Sequence, residues 1–587
     1  MADVQGRILD NAGMVFNVHN TDFSGGAPTN GAADAQPAIQ AAINAASAAG
    51  GGTVLLGPHT YWISDTLTLP SNVRVQGWSV DVSVVTSLDN SAVDHLGSKP
   101  VFRAAGTSSA KVTSVGLADL TVRNGTASTG SYTASKNGLE ADYVDGLTVE
   151  RVKFTEIQGT DGVWIWRSSN IRVRACLFYR WTYSGMTIYP DCQNVWVENT
   201  TFDTAVTTTL TNSYTLGAGS SSTYTGTSFV KNLWVQRCTF LNNPRWEGLD
   251  VHGGENVWIR DNYIDNVRIG INAGLDTSNV PSGVLKNVVI EGNVMRQGTG
   301  SESADHYGII VHGNADDTAR AEHVTVRDNA IYGFGGSTTD TIGVISAYAV
   351  RGLEISNNLV ENFAQAGVLL WYSLSDVRIH GNRFRNMRAY GSLGATCAIS
   401  SALSWGVFNV DVRDNSLDAD SWDQAPTYFL YANTAIGNVQ VGHNRVAQVR
   451  TAYYGNTGNL PVERSTVPTT NLRLKYGDVV LTNTGKPGWY VSAVAGGEVG
   501  YGSVDTTTVV GTVSATSGST TVTLGTADWR WLPEGMNVTI AGAGASGAAL
   551  NARVLKNNKT TVILDTAAST TVTGTNLTMQ GVTLVTP

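Results

Sequence analysis

The chain has 587 residues, more than one compact domain normally holds, and only 14% of them are charged. A net charge of −9 and the lack of a basic run argue against a nucleic-acid partner. No apolar stretch reaches the ~18 residues that a membrane span needs, so we expect no membrane insertion.

Residues 1–15 form a short segment that we assign to attachment or assembly. The segment lacks the basic and apolar regions of a secretory signal, so we expect export by another route, such as lysis, or a mature or recombinant chain. A helix is predicted next, with Asp34 as its N-cap, Pro37 in its first turn and Gly50 and Gly51 at its end. Such a helix would close the open end of a repetitive stack.

An eight-residue pattern recurs eleven times between Leu147 and Val446, and its copies start 24 to 38 residues apart. Positions one, three and eight are apolar, as in Val257, Ile259 and Ile264. The alternation predicts a strand with one buried face, and a second strand follows most copies, usually opening with glycine. This period predicts an all-β fold, a right-handed single-stranded parallel β-helix over residues 16–450.

The sixth position of the last seven copies is always asparagine. We expect these side chains to stack one per turn, to adopt the left-handed conformation at a bend, and to bond the asparagine of the next turn and the backbone. They are Asn262, Asn293, Asn329, Asn358, Asn382, Asn415 and Asn444. The earlier copies carry Val152, Cys176, Thr200 and Cys238 there, which predicts a small inward column. The four cysteines have no metal-like spacing, and we expect buried, reduced thiols.

The register stops after Val446, and the last part of the chain has a different composition. Residues 451–503 are assigned to a linker and a short β segment. Residues 504–587 are predicted to form a separate small sandwich or barrel, acting either as a structural cap or as a trimerisation or glycan-contact module. Its predicted strands are Val509–Val513, Thr520–Leu524, Met536–Ile540, Val562–Leu564 and Leu577–Met579.

Alignment of the second strands on their glycines separates inward from outward residues. The first and third residues after each glycine are apolar, and the second and fourth should face outward. The predicted outward residues are Trp164, Trp166, Thr187, Tyr189, Asp250, His252, Asn272, Gly274, Ile310, His312, Ile345, Ala347, Leu369 and Trp371, with Arg167, Asp191 and Tyr372 at strand ends. Exposed aromatic rings with polar neighbours suit an oligosaccharide groove, although inserted loops or a neighbouring subunit would also cover them. We predict that Trp164, Trp166, Arg167, Tyr189, Asn272, His312, Trp371 and Tyr372 bind carbohydrate.

The segment around Asp250 and His252 carries the best candidates for chemistry. These two residues lie side by side on one strand, and Glu247 lies at the turn before them, which suits acid/base work on a glycosidic oxygen or on a uronate C5 proton. The predicted catalytic set is Asp250, His252, Glu247 and Asp161. Hydrolysis would need a second carboxylate, for which Glu247, Asp161 and Asp276 are candidates, and Asp305, His306 and His312 are candidates to extend the site. The alternative is that Asp250 and His252 only bond neighbouring turns. No metal spacing is present, and we expect no cofactor.

The N-terminal stretch resembles the opening of the pectate-lyase-like β-helix superfamily. The resemblance rests on Asp34, Ile39-Gln40, Ile43, Gly50-Gly51-Gly52-Thr53-Val54, Gly57-Pro58 and Tyr61, whereas the usual Gly-Asp-Gly and Asp-Asp-Thr pieces are degraded to Gly31-Ala-Ala-Asp34-Ala. It extends over residues 16–450 and is specific for fold, not for reaction. The segment from Leu472 to Asp478 with Gly488-Trp489 is similar to one found near the ends of phage tail-spike chains.

These resemblances imply a phage tail-spike or tail depolymerase. Such a protein would be a homotrimer in the virion that contacts other tail proteins through its N-terminus. It would bind a bacterial surface polysaccharide at the host cell and cleave it as a hydrolase or lyase. The first alternative is a non-catalytic receptor-binding or structural tail protein. The second is a free, extracellular microbial polysaccharide lyase or hydrolase.

Overall fold

The computed structural model describes most of the chain. The residues not described are 1–6, 11–12, 30, 32, 128–130, 207–212, 220–228, 276–283, 298–305, 315–318, 335–342, 388–396, 401–406, 419, 421–427, 433–435, 447–450, 456–478, 482–488, 493–498, 503–505, 528–536, 559 and 582–587. The chain divides into two compact units, residues 1–304 and 305–587. No helix in the described part is both long enough and apolar enough to cross a membrane.

In the described part of the first unit, the helix Gln36–Ala48 is followed by a stack of coils that build three parallel sheets. The strand Arg7–Asp10 pairs antiparallel with Gly13–Asn17 at its start. The first sheet contains Gly13–Asn17, Gly52–Leu55, Val73–Gln76, Val112–Arg123, Val144–Ile157, Ser169–Arg174, Gln193–Glu198, Val230–Gln236, Gly254–Arg260 and Leu285–Glu291. The second contains Thr60–Trp62, Val84–Thr86, Leu177–Trp181, Thr201–Ala205 and Val294–Arg296, together with the C-terminal parts of Val112–Arg123 and Val144–Ile157 and the N-terminal parts of Thr239–His252 and Tyr263–Gly274. The third contains Leu67–Thr68, Phe102–Ala105, Leu139–Asp142, Asp161–Trp166, Ser184–Ile188, Tyr214–Ala218 and the C-terminal parts of Thr239–His252 and Tyr263–Gly274.

The repeating pattern builds the core as predicted. Its first and third positions point inward from the first sheet and its eighth from the second, and all of these residues are buried in the first unit. Phe154, Phe178, Phe202 and Phe240 stack ring on ring, with centroids 5.0, 4.5 and 5.1 Å apart. Each coil therefore buries its apolar face against the next coil rather than against a separate layer.

The N-terminal helix is present, but its cap differs from the prediction by one residue. Ala35 occupies the cap position and makes no side-chain cap bond. Asp34 Oδ1 instead accepts hydrogen bonds from the backbone N–H of Gln36 at 2.9 Å and of Ser64 at 3.1 Å. Asp34 thus ties the start of the helix to the loop after the strand Thr60–Trp62.

The asparagine stack is confirmed, with one correction to its backbone. Asn262 Nδ2 donates to Asn293 Oδ1 at 2.9 Å and to the backbone oxygen of Val235 at 3.0 Å, so the amide joins successive turns. The left-handed residue at this bend is the preceding one, Asp261 (φ 55°), and not Asn262. The prediction that the stacked asparagines adopt the left-handed conformation was therefore wrong. The stacked asparagine points its amide inward, and the residue before it makes the bend in the chain.

A second asparagine column, which the sequence analysis missed, runs along the outside of the first sheet. Its members are Asn170, Asn194, Asn232, Asn256 and Asn287, each in the left-handed conformation with φ between 54° and 60°. Each amide from Asn194 onward donates to the Asn of the preceding turn at 2.9–3.1 Å. The sequence does contain a signal for this column, because each of these asparagines directly precedes the first apolar position of a repeat.

The second unit continues the same plan of three parallel sheets within itself. The first sheet contains Ala321–Arg327, Val350–Ser356, Leu374–His380, Val407–Arg413 and Ile436–Gly442. The second contains Ala330–Tyr332, Leu359–Phe363, Arg383–Met387, Ser416–Asp418 and Arg445–Val446. The third contains Tyr307–His312, Gly343–Tyr348, Ala366–Leu370, Cys397–Ser400, Tyr428–Ala432 and Thr451–Gly455. All four cysteines of the chain are buried and free.

Two antiparallel elements follow. Val479–Leu481, Trp489–Ser492 and Val499–Gly502 form a small sheet. Six strands then close into a barrel around a core of small apolar residues. They are Thr506–Ala515, Thr521–Leu524, Asn537–Ile540, Leu550–Asn557, Thr561–Leu564 and Val572–Gly581, and the short 3₁₀ turn Ala545–Gly547 lies between the third and fourth. The sequence analysis missed the fourth strand. Asn551 and Arg553 give it a polar outer face, and its apolar residues alternate singly with these polar ones.

Candidate functional site

The third sheet of the first unit brings the predicted polar and aromatic residues onto one face. Its strand register places Trp164, Thr187, Gly217, Asp250 and Asn272 in one column. The side chains two residues further along each strand form the neighbouring column, which starts at Trp166 and includes Tyr189, Gly219, His252 and Gly274. Since strands in a sheet are ~4.8 Å apart, Trp164 and Asp250 lie about 14 Å from each other on this face.

Asp250 and His252 form a hydrogen-bonded pair. His252 Nε2 lies 2.8 Å from Asp250 Oδ2, and Asp250 Oδ1 accepts a hydrogen bond from Asn272 Nδ2 at 2.9 Å. The side chain of Asp250 is 5% exposed, whereas that of His252 is 24% exposed. The imidazole is therefore the group that solvent or a ligand reaches, and the carboxylate beneath it fixes its orientation.

Glu247 lies beside this pair but is buried. One of its carboxyl oxygens, Oε2, has no hydrogen-bond partner. Burial, and then the negative charge of Asp250, raise the pKa of Glu247 well above its ordinary value. Glu247 thus places a second buried carboxyl group, with a raised pKa, beside the Asp–His pair.

A local irregularity in the strand Thr239–His252 explains how Glu247 reaches this position. The pairing with the next strand shifts between Asn243 and Glu247, so the chain bends there. Buried Asn243 pins the bend, because its Nδ2 lies 2.6 Å from the backbone oxygen of Ser213 and 3.1 Å from that of Glu247. After the bend, Gly253 (φ 90°) ends the strand in a left-handed conformation that glycine tolerates best.

Trp164, Trp166 and Tyr189 form an aromatic cluster in which no ring lies flat on another. The two indoles are perpendicular at 89°, and Tyr189 is tilted by 46° and 48° to them. Arg167 covers one indole, with its guanidinium carbon 4.0 Å from the Trp166 ring centroid, and pairs with Asp142. All four predicted carbohydrate-binding residues of this part of the sheet therefore come together and remain half-buried.

Asp161 lies beneath this cluster and not beside the Asp–His pair. It is 1% exposed, its Oδ1 accepts a bond from Thr187, and its Oδ2 has no hydrogen-bond partner. Burial raises its pKa to about 7. Asp161 is three strands from Asp250, at least about 14 Å at ~4.8 Å per strand, and it precedes by three residues Trp164, which is in register with Asp250. That separation exceeds the ~5–9.5 Å that paired glycosidase carboxylates span, so this geometry does not support the predicted pairing of Asp161 with Asp250.

The strand Tyr214–Ala218 separates the aromatic cluster from the Asp–His pair without placing a side chain between them. Gly217 faces outward between Thr187 and Asp250, and Gly219 follows at the next outward position. A Cβ at Gly217 would meet nothing closer than 3.8 Å, so packing does not require glycine there. Gly219 (φ 110°) is different, because a Cβ would approach the His252 backbone oxygen to 2.4 Å.

Three further predicted carbohydrate-binding residues lie in the second unit. His312, Trp371 and Tyr372 surround Tyr348, whose ring centroid lies 4.6, 5.4 and 5.2 Å from theirs. Tyr348 was missed, because Ile345 and Ala347 were predicted to face outward. That prediction was wrong: Ile345 and Ala347 are 1% exposed and align with inward residues, since the strand begins one residue out of register with its glycine.

The structure brings none of the other described candidates into the site. Asp276 and Asp305 lie outside the described residues, and His306 is buried. Within the described part of the chain, no three His, Cys, Asp or Glu side chains are arranged to hold a metal ion.

Two family models match the chain. Residues 15–212 match a model described as rhamnogalacturonase A/epimerase, pectate lyase-like, and residues 205–384 match the right-handed β-helix region. The chain therefore carries a right-handed β-helix, which confirms the fold class, and residues 15–212 bear out the resemblance to pectate-lyase-like proteins.

Individual relatives match over shorter stretches. Mannuronan C5-epimerase AlgE1 of Azotobacter vinelandii is 34% identical over 168 residues, 26% of this chain and 11% of that protein. Alginate lyase 7 of the same organism is 36% identical over 159 residues, 24% of this chain and 17% of that protein. The matches thus span less than a fifth of either relative. The tailspike protein of E. coli bacteriophage HK620, solved with a pentasaccharide, has a TM-score of 0.46 and 14% identity and covers 96% of this chain and 93% of its own.

Proposed function

We propose that this protein acts on an acidic polysaccharide by removing the C5 proton of a uronate residue, with His252 as the base. The observation that carries the proposal is the difference in exposure within the Asp–His pair. The imidazole reaches the surface of the third sheet, while Asp250 and Glu247 are both buried. The similarity to a C5-epimerase and an alginate lyase agrees with this chemistry, because both reactions begin with loss of that proton.

Hydrolysis fits the same residues less well. A glycosidase needs two carboxyl groups that flank the scissile bond and touch it from opposite sides. Asp250 and Glu247 lie three residues apart on one strand and are 3% and 4% exposed. A glycosidic oxygen would have to pass the imidazole to meet either carboxyl group.

The proposed step assigns a separate task to each group. His252 takes the C5 proton, the C5 electron pair forms the C4–C5 double bond, and the C4–O bond breaks. The leaving glycosidic oxygen takes up a proton from solvent, and His252 later releases the C5 proton to solvent. Asp250 holds the imidazole and stabilises its protonated form, as a buried carboxylate does beside a catalytic histidine. Asn272 in turn holds Asp250, so Asp250 and Asn272 are positioning residues.

The aromatic cluster supplies the binding part of the proposal. Trp164, Trp166 and Tyr189 lie in the same two columns as Asp250 and His252, with the side-chain-free positions Gly217 and Gly219 between them. A glycan lying across the strands would contact the cluster with one sugar ring while another reaches the imidazole. Arg167 offers a cation to the carboxylates of such a chain.

The biological setting belongs to the same proposal. We place the protein at the tip of a phage tail, as a homotrimer that meets bacterial surface polysaccharide outside the cell. The support is the sequence resemblance around Leu472–Asp478 and Trp489, most of which lies outside the described residues.

The test is to incubate the purified chain with polyuronates and with capsule polysaccharides in deuterated water. We expect unsaturated uronate, seen by ultraviolet absorbance, or deuterium at C5, seen by mass spectrometry, and neither product with His252→Ala. New reducing ends without unsaturation would overturn the proposal in favour of hydrolysis. Binding with no product from the unmutated protein would favour a non-catalytic receptor-binding protein.

A further inference from the structure

The first sheet of the first unit carries a row of tryptophans that the proposed reaction does not use. Trp196, Trp234 and Trp258 occupy the same outward position on three successive strands. Their ring centroids are 4.8 Å apart in both steps, and their planes differ by only 2° and 6°. We call these three residues the tryptophan ladder. All three are half-buried.

The ladder cannot offer ring faces to a sugar. Trp234 has an indole on each side, and Arg172 and Arg260 lie over the outer members, with guanidinium carbons 5.5 and 6.0 Å from the ring centroids of Trp196 and Trp258. What remains exposed is a strip of ring edges in the middle of a flat sheet. Such an apolar strip between charged residues suits contact with another protein surface.

The charges on either side of the ladder indicate which protein surface would pack against it. The outward residues at the two edges of each strand are Gln193 and Glu198, then Lys231 and Gln236, Glu255 and Arg260, and Lys286 and Glu291. In the last two strands the edges carry opposite charges at the same height, and in the first two only one edge is charged. No strand of these four has like charges at its two edges.

We infer that the tryptophan ladder packs against a second copy of this chain, related by rotation about an axis parallel to the stack of coils. Such a rotation brings one edge of a strand against the opposite edge of the same strand in the neighbouring copy. Glu255 then meets Arg260, and Lys286 meets Glu291. The intrachain ion pairs Lys231–Glu255 (3.7 Å) and Arg260–Glu291 (2.8 Å) run along the stack. Glu255 and Arg260 can therefore keep their partners within the chain and also pair with each other across the contact.

The first measurement is mass by light scattering on the full chain at micromolar concentration. We expect a dimer or trimer, Trp234→Lys to give monomers, and Trp234→Phe to keep the assembly. Circular dichroism should show that both variants fold, which the outward position of Trp234 favours. If Trp234→Lys fails to fold, Lys286→Glu should weaken the assembly, because it sets two glutamates against each other across the contact. A monomeric unmutated chain would overturn the inference.

The second measurement tests which residues face each other across the contact. Glu255→Cys combined with Arg260→Cys should give disulfide-linked chains on oxidation. The two positions cannot bridge within one chain, because five residues of strand separate them by about 16 Å, beyond the ~7 Å limit for a disulfide. Glu150→Cys with Glu255→Cys, which lie four strands apart in height, is the matched control and should stay unlinked. An oligomer that forms without the first link and tolerates Trp234→Lys would overturn the assignment of this face.

Discussion

The aromatic cluster and the tryptophan ladder use the same residue types on the same scaffold and present different surfaces. In the cluster, the rings of Trp164 and Trp166 are perpendicular and come from one strand, two residues apart. In the ladder, the rings come from successive strands and lie parallel at 4.8 Å. One indole per turn at a fixed position is forced into a stack, whereas two on one strand cannot stack on each other. The arrangement of the rings, and not their number, decides whether a face is left to bind a ligand.

The residues buried beneath the two regions also differ. Under the ladder lie apolar residues such as Val195 and Val197, and a column of asparagines runs beside it. Under the cluster lies Asp161, a buried carboxyl with an oxygen that has no hydrogen-bond partner. Buried carboxyl groups with strongly raised pKa values cluster at functional sites. The four predictions below test whether function follows this division.

The largest effect is expected from His252→Ala. Loss of a general base typically lowers turnover by ~10²–10⁴-fold, whereas affinity for an oligosaccharide should change little because the cluster is intact. Turnover by product absorbance and affinity by calorimetry give the two values. His380→Ala is the matched control, since His380 also faces a carboxylate, Glu354, at 3.5 Å but lies in the first sheet of the second unit. Equal losses in both variants would contradict the assignment of the site.

Asp161→Asn should change how stability depends on pH. Because the pKa of Asp161 is raised from its ordinary 3.8 to about 7, its contribution to stability is fully present below about pH 4 and is lost as the pH rises towards 7. At ~1.36 kcal/mol per pKa unit, the loss is at most about 4 kcal/mol. The variant should lack this fall in the unfolding midpoint, measured from pH 4 to 8, while Asp261→Asn, at an exposed bend, should keep it. A fall of the same size in both variants would exclude Asp161 as its source.

Trp164→Ala should weaken glycan binding by about 1–1.5 kcal/mol, roughly tenfold in Kd, because one stacking surface is removed. Trp234→Ala, which removes an indole with no free face, should leave the Kd for the same short oligosaccharide unchanged. Calorimetry with the catalytically inactive His252→Ala background avoids turnover of the ligand. A larger loss in the ladder variant would reverse the roles of the two regions.

Much of the fold follows from the sequence, because a parallel stack forces each apolar position of the repeat onto the same position of the next turn. Leu233, Val257 and Val288 are all buried for this one reason. The shared face of Asp250 and the aromatic cluster could be predicted from the same register. The ladder could have been found as well, since Trp196, Trp234 and Trp258 all occupy the second position of a repeat.

Other features depend on contacts that no local pattern contains. Tyr348 escaped prediction because its strand lies one residue away from the register that Gly343 suggested. The separation of Asp161 from Asp250 depends on how many strands lie between them, which the inserted loops conceal. The burial of Glu247 depends on the bend held by Asn243, whose partner Ser213 comes from a different coil. In each case a tertiary contact overrides the local signal.

The smallest effect is expected in the outer asparagine column beside the ladder. Asn256 donates to Asn232 and accepts from Asn287, both at 3.0 Å, and adopts the left-handed conformation (φ 60°). Asn256→Gly keeps that conformation and removes two half-exposed bonds, so it should lower the unfolding free energy by only about 0.5–1 kcal/mol. Asn256→Ala should cost about 1–2 kcal/mol more because alanine resists the left-handed region. Denaturant titration of both variants separates the contribution of the amide hydrogen bonds from that of the backbone conformation. Equal costs would mean that the amide bonds, and not the backbone, explain why asparagine recurs beside the ladder.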